Sequence, residues 1–244
     1  MKSIKRYLEE FYLRQMFDPG VPALFFNPFY FARRTLASHI RDLGPHLTGR
    51  TLDVGCGSKP YRSFCHSSLY VGLEIYSKEG KEEKPADVLY DGHDFPFRDG
   101  QFDSVLTSQV LEHVFSPDEF LGEIRRVLKV GGILLLTVPF VWNEHEQPAD
   151  FARYSSFGVR FLLQKHGFHI LEYRKSVNDL RLQFQLLNVY VNNLLRTVHP
   201  WCNVVLRFLL ISPLNLLGEL MCRIFPKSED LYLDNLVLAK KITG

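Results

Sequence analysis

The chain has 244 residues, 46% of them hydrophobic, which is enough for one large core and predicts one α/β domain with attachments rather than two equal domains. Its formal net charge of +2 lacks the concentrated Lys and Arg of a nucleic-acid binder, so no nucleic-acid partner is expected. Cys56, Cys65, Cys202 and Cys222 form no CxxC and no metal-like spacing with histidine, and no charge-free apolar run reaches the roughly 18 residues of a spanning helix, so a reduced, cytoplasmic protein is expected.

In chain order, the first segment places Ile4, Tyr7, Leu8, Phe11 and Tyr12 on one helical face, with Lys5, Arg6 and Arg14 elsewhere, and PALFFNPFYFARR follows. An N-terminal helical cap is expected over 1–48, ahead of a main domain over 49–244. Such aromatic density beside arginines suits a lid over an apolar substrate, a helix lying in a membrane interface, or an ordinary packed cap.

From Arg50 to about Lys175, short β-rich runs alternate with helical ones, the pattern of a parallel sheet wrapped by helices. Strands are expected at 51–54, 69–75, 86–90, 102–108, 132–138 and 168–174. A further strand at 231–240 is expected as an antiparallel edge. Ser116, Pro117 and Glu119 read as N-cap, first-turn proline and capping-box acid of a helix that Gly131 closes. Ser155 or Ser156 opens another, closed by Gly167. Between the last two strands lies an apolar insertion at about 180–226, in which Arg181, Gln185, Asn188, Asn192 and Arg196 recur at helical spacing beside a broad apolar face. Pro213 and Glu219 interrupt its second half, which predicts two short helices there.

The stretch LDVGCGSKP, residues 52–60, carries the chemistry. Asp53 ends an apolar strand, and Gly55 and Gly57 let the backbone turn sharply and approach a ligand. Ser58, Lys59 and Pro60 follow in place of a third glycine, and no GxxxxGK[ST] occurs, so neither a dinucleotide nor an ATPase phosphate loop is indicated. A cofactor with an adenosine but no pyrophosphate remains, beside the reading of a plain strand-to-helix turn with Pro60 at its first helical position. Glu74, at the end of the second strand, stands where an acid accepts hydrogen bonds from ribose hydroxyls. Asp91 and Gly92, after the third strand, fit either an adenine contact or a turn.

LDVGCGSKPY, YVGLEI, DGHDFPFRDGQFDSVLTSQVLEHV and FLGEIRRVLKVGGILLLTVP together resemble a class I S-adenosylmethionine-dependent methyltransferase of the type 11, UbiE-like group. The resemblance is close over Leu52 to Pro139 and looser to the last strand. It implies a Rossmann-like seven-stranded, mostly parallel sheet with an antiparallel last strand and helices on both faces. It further implies that Asp53, Gly55, Cys56 and Gly57 line the methionine end of S-adenosyl-L-methionine. Glu74 would hold the ribose, Asp91 with Gly92 would lie by the adenine, and Gln109 would sit near the methionine moiety. Lys59 departs from the glycine often found in that loop.

The acceptor side is expected after the fifth strand, in PFVWNEHEQPADFARYSS, with His145 as base or substrate anchor and Tyr154 beside it; Asp150 and Arg153 read as a pair. His113, in LEHV with Glu112, is a second acid or base, or a histidine that caps its turn. No metal is expected, because the spacing does not show ligands converging. The expected activity is methyl transfer to a small or lipid-linked acceptor, with oxygen preferred. The alternatives are carbon or nitrogen methylation of a quinone-like metabolite, or a non-catalytic cofactor-binding or membrane-associated scaffold. The apolar insertion leaves contact with the inner face of a membrane open.

Overall fold

The computed structural model describes residues 4–76, 86–196 and 200–242. The chain divides into two compact units, residues 39–175 with 234–244, and residues 1–38 with 176–233.

The first unit is a seven-stranded sheet: β1 (Thr48–Val54), β2 (His66–Ile75), β3 (Val88–Tyr90), β4 (Phe102–Ser108), β5 (Leu128–Pro139), β6 (Phe168–Lys175) and β7 (Asp234–Lys241). Their order is β3-β2-β1-β4-β5-β7-β6, with β7 antiparallel to both its neighbours and the other pairs parallel. Helices cover both faces, so the central strands are continuous apolar runs, and Leu52, Val54, Val105, Leu134 and Leu136 are fully buried.

The last strand is antiparallel as expected, but it is not an edge. It lies between β5 and β6, and β6 takes the border. The composition of DNLVLAKK fits that interior place, since all of it but Lys240 is buried and it lacks the apolar/polar alternation of a half-exposed edge.

The helix α3 (Pro117–Val127) starts at Pro117 as predicted, but the Ser116 side chain makes no capping hydrogen bond. Nor does Gly131 close it: Leu128 already begins β5, where Phe102 pairs with Leu128 and Ser104 with Ile133. Gly131, at φ +79°, turns the chain inside that bulge. The buried C-terminal end of α3 is capped instead by Lys241, whose Nζ donates to the Arg125 and Leu128 carbonyls at 2.8 Å each. In α4 (Ser156–Lys165) the expected caps are present: Ser155 Oγ accepts from the Gly158 amide at 3.2 Å, and Gly167 has φ +69°.

The second unit is helical, with α1 (Ile4–Phe17), the first part of α2 (Tyr30–Leu43), α5 (Arg181–Leu195) and α6 (Pro200–Met221). The side chains of Ile4, Lys5 and Leu8, named above, lie outside the described residues. α6 runs through Pro213 without a break, so the two short helices predicted there are one. A proline costs the helix one backbone bond, and packing against α5 retains the rest.

α5 forms where its periodicity predicts, but its buried face is mixed, with Gln185, Asn188 and Asn192 buried among Leu182, Val189 and Leu195. Gln185 and Asn188 are fully buried, while Tyr190 is 63% and Leu194 57% exposed. The amides are committed to backbone and to each other. Gln185 Nε2 donates to the Pro28 carbonyl at 2.8 Å, and its Oε1 accepts from the Ala32 amide at 3.1 Å. Asn188 Nδ2 donates to Asn215 Oδ1 at 2.8 Å, and Asn215 Nδ2 reaches the Leu24 carbonyl at 2.9 Å. Asn188 Oδ1 and Asn192 Oδ1 stay without a hydrogen bond, but the rest of the network ties α5 and α6 to the irregular segment between α1 and α2. Among the described residues no helix is long and apolar enough to cross a membrane.

Gln185→Leu keeps the volume but leaves the Pro28 carbonyl and the Ala32 amide without partners, each on the order of 1–3 kcal/mol. The urea midpoint of the variant should fall clearly below wild type; an unchanged midpoint would show that this helix face is solvated.

Candidate active site

The parallel strands β1, β2 and β4 end together, and the loops beyond them gather the predicted residues. Gly55 (φ +70°) follows β1, and a Cβ there would stand 2.3 Å from Val110 Cγ2 on the loop after β4. Only glycine allows that close approach. Gly57 (φ +48°) is also left-handed, but nothing lies within 4 Å of where its Cβ would be, so the loop borders open space. The turn is pinned from β2: Glu74 is buried, and its Oε2 accepts from the Gly57 amide at 2.8 Å. Lys59 takes φ +56°, the conformation for which a glycine is the usual choice, and its Nζ pairs with Asp87 Oδ2 at 2.7 Å. The departure from glycine therefore leaves the path of the loop intact.

Asp53 is buried at the end of β1, and Tyr70 Oη donates to its Oδ2 at 2.7 Å. Burial pushes its carboxyl up to about 7, against the smaller opposing effect of the Tyr70 hydrogen bond. The Cys56 thiol is likewise pushed up to about 12, chiefly by burial and then by the charge of Asp53, so it is no thiolate nucleophile. Asp91 and Gly92 form a turn in which Asp91 Oδ1 accepts from the His93 amide at 3.1 Å, and Gly92 (φ +94°) passes close to Ile75, next to Glu74. Gln109, at φ +59°, is held on β5, its backbone amide on the Thr137 carbonyl at 2.9 Å and its Nε2 on Thr137 Oγ1 at 3.2 Å.

On the acceptor side, the loop after β5 folds back onto the one after β4, and the Phe151 amide donates to the Glu112 carbonyl at 2.8 Å. Arg153 grips Asp150 with both terminal nitrogens, at 2.6 and 2.7 Å, which confirms that pair and holds the Asp150 carboxyl well below the ordinary range. Asp150 Oδ2 in turn accepts from the His145 amide at 2.9 Å. The clamp brings His145 against His113, ring centroids 4.7 Å apart and edge to face. Glu112 lies beneath them, fully buried, with Oε1 3.8 Å from His113 Nε2. Burial pushes the Glu112 carboxyl up to about 8, and burial lowers His145 below its ordinary value of 6.5. Tyr154 is half-buried against the hydrophobic core, and burial raises its phenol.

Sequence reasoning thus located both loops but missed three contributors. Tyr70 and Val110 carry no motif, being a strand tyrosine and a loop valine whose roles arise only from strand pairing. The convergence of Glu112, His113 and His145, whose potential ligand atoms all lie within 4.8 Å of one another, was expected to be absent and is present. It joins loops that β4–β5 pairing brings side by side, which sequence separation conceals.

A glycine loop open on one side, braced by a buried acid at the neighbouring strand end, fits an adenosine cofactor without a pyrophosphate. Together with the sheet order, it defines a class I S-adenosylmethionine-dependent methyltransferase fold. The family model described as "Methyltransferase domain" matches residues 52–136. An uncharacterized protein of Methanocaldococcus jannaschii is 32% identical over 159 residues, 57% of this chain and 75% of that protein. The chain belongs to this methyltransferase family, and it is an S-adenosylmethionine-dependent methyltransferase. The ubiquinone biosynthesis O-methyltransferase of Maricaulis maris is 31% identical over 129 residues, 45% of this chain and 50% of that protein. Norajmaline N-methyltransferase of Rauvolfia serpentina is 28% identical over 139 residues, 49% and 48% of the two chains, so the chain spans about half the length of these two relatives. Among solved structures, an S-adenosylmethionine-dependent methyltransferase from Archaeoglobus fulgidus superposes with a TM-score of 0.53 at 17% identity, over 95% of this chain and 99% of that one. The cyclase SpnF gives the same score at 21% identity, over 84% and 82%. At these identities the likeness is one of fold.

With its carboxyl at about 7 against an ordinary 3.8, native Asp53 keeps a proton that the unfolded chain has released, so its contribution to stability falls as pH rises from about 4 to about 7. Asp53→Asn, which still accepts from Tyr70, removes that fall, each displaced pKa unit being worth ~1.4 kcal/mol. The stability of the variant relative to wild type should therefore rise over this interval in thermal melts; parallel curves would put Asp53 back at an ordinary value.

Proposed function

We propose that this enzyme methylates an oxygen of a small or lipid-linked acceptor, as a member of the type 11, UbiE-like group. The observation that carries the reading is the cluster of Glu112, His113 and His145, gathered at the same sheet edge as the Gly55 turn and only two residues beyond Val110, which seals that turn. S-adenosylmethionine supplies, when bound, a methyl group on a sulfonium, whose C–S bond breaks as the acceptor's C–O bond forms, leaving a neutral thioether and one proton from the hydroxyl. The chain's part is to position the reactants and to deal with that proton.

Asp53, the Gly55–Gly57 backbone, Cys56 and Glu74 would hold the methionine and ribose portions. Asp91, Gly92 and Gln109 would complete the adenine and methionine ends. The acceptor oxygen would lie toward His145 and His113. A hydroxyl must lose its proton during attack, whereas a neutral amine attacks with its lone pair, so such a cluster supports oxygen over a free amine. The name of the Maricaulis maris relative agrees with that preference, and the name of the Rauvolfia enzyme marks nitrogen as the alternative.

A lipid-linked acceptor, met by a cytoplasmic protein at the inner face of a membrane, is supported by the helical unit. α5 buries Gln185, Asn188 and Asn192 and turns Leu187, Tyr190 and Leu194 outward, while α6 exposes Val205, Phe208 and Leu209. So much outward apolar surface is what a membrane interface or an acyl chain accepts. An open groove of about 350 Å³ in this unit combines the apolar walls of Leu24, Leu216 and Leu220 with Arg34, Arg223 and Glu219.

Calorimetric titration with S-adenosylmethionine and S-adenosylhomocysteine tests the cofactor assignment. Glu74→Ala should weaken both by about 10- to 100-fold, the loss of one charged acceptor, on the order of 1.5–3 kcal/mol. Glu74→Gln, which still braces Gly57, should weaken them less. Equal affinity in a folded Glu74→Ala variant would take Glu74 out of the site, and a folded wild type that binds neither would leave a scaffold.

Sedimentation with anionic vesicles tests the surface reading. Binding should occur, decrease with salt, and be lost on Leu194→Asp. Absence of binding would confine the acceptor to small soluble molecules.

A further inference from the structure

The geometry points to a binding site for one divalent first-row transition ion of the zinc type, formed by Glu112, His113 and His145. The ion site is argued from these side chains alone, while its role in catalysis rests on the acceptor-oxygen reading above.

Three observations converge on it. One potential ligand atom from each residue lies within 4.8 Å of the other two. Bonds of about 2.0–2.2 Å at tetrahedral angles place ligand atoms roughly 3.3 Å apart, so closure needs movement of about an ångström. His145 lies on a loop and is partly exposed, with room to supply it.

Glu112 is fully buried, and neither of its carboxyl oxygens has a hydrogen-bond partner on another residue, its own backbone amide alone lying near enough to favour the charged form. Leaving a buried carboxyl without a partner is costly, and a bound cation is one of the few things that compensates it. Its charged neighbours do not fill that role. Arg153 is near enough to act on it at a distance but is committed to Asp150, while Asp150 and Asp234 bear on it with the same sign of charge.

His113 is held as a ligating histidine usually is. Its Nδ1 lies 2.6 Å from the Ala149 carbonyl, which can only accept, so Nδ1 carries the proton and the lone pair is on Nε2, the atom facing Glu112 at 3.8 Å. His145 is held in place by its backbone amide on Asp150, while its Nδ1 faces the Asn143 carbonyl and Asp150 Oδ2 at 3.3 Å each and Arg153 Nη2 at 3.4 Å, which leaves Nε2 as its outward nitrogen.

Two imidazoles and one carboxylate suit zinc and its first-row neighbours, whereas magnesium and calcium prefer oxygen donors alone. Three protein ligands leave coordination positions open, the arrangement of catalytic rather than structural ions. An acceptor hydroxyl that took one of them would be acidified next to the methyl donor's loop.

The test uses the full chain, treated with a chelator, dialysed, and titrated with Co²⁺ and then with competing Zn²⁺. The readouts are visible absorption of the Co²⁺ complex and metal content by mass spectrometry. One equivalent should bind, with a spectrum typical of four- or five-coordinate Co²⁺, and zinc should displace it. Glu112→Gln, an isosteric change, should weaken binding at least tenfold, and His145→Ala should do the same. S-adenosylmethionine titrated into metal-free protein should bind as in wild type.

Failure to bind Co²⁺ or Zn²⁺ stoichiometrically overturns the site. So does binding that both variants leave unchanged, which would put the ion on other residues, and so does binding of Mg²⁺ in preference to Zn²⁺. A protein that binds the cofactor but takes up neither Co²⁺ nor Zn²⁺ overturns this inference and leaves the proposed function, whereas one that takes up the metal but binds no cofactor does the reverse.

Discussion

The shared direction of β1, β2 and β4 is the constraint on which the rest of the molecule depends. Val54 pairs with both Leu73 and Thr107, so three strands deliver their carboxyl ends to one line and the next few residues of each are loops that must coexist in a small space. Gly55 exists because Val110 occupies the place of its side chain, and the Gly57 amide finds its acceptor on β2 rather than in its own loop. Parallel strands cannot be joined by tight hairpins, so each loop is followed by a crossover and remains free to carry chemistry.

That edge concentrates buried acids. Asp53, Glu74 and Glu112 each lie under loops at the ends of neighbouring strands, and two of them are pushed toward neutrality by burial. A fold gains nothing in stability from such carboxyls. They make sense as a standing preference for positive charge, and a ligand that brings it stabilises the native state by its own binding energy. Asp53 lies at the glycine turn and Glu112 beneath His113 and His145, so the two acids that burial raises stand on different loops of this edge.

The sheet and the cofactor loop were legible in the sequence because both write local signatures: apolar runs of strand length, a left-handed turn that demands glycine, and an acid at a strand end. What was not legible depended on partners distant in the chain. The last strand could be read as antiparallel but not as interior, because DNLVLAKK says what it is buried by only once β6 is known to lie beyond it. Ser116 and Gly131 carry the residue types of caps, yet the register of β4 against β5 claimed the glycine for a bulge and Lys241 took over the carbonyls. Glu112, His113 and His145 are two short strings separated by β5 and a helix, and no spacing rule connects them.

The mixed buried face of α5 has a different origin. A periodic stripe identifies a helix whichever side faces inward, and the usual assumption that only the apolar side does so is an energetic one. It holds only in part here, because Gln185 and Asn215 satisfy carbonyls of the irregular segment between α1 and α2 and the Ala32 amide at the start of α2, which would otherwise be buried without partners. Once the amide face is committed to that backbone, helical geometry carries Leu187, Tyr190 and Leu194 to the outside. The exposed apolar stripe is thus enforced by hydrogen bonding within the unit.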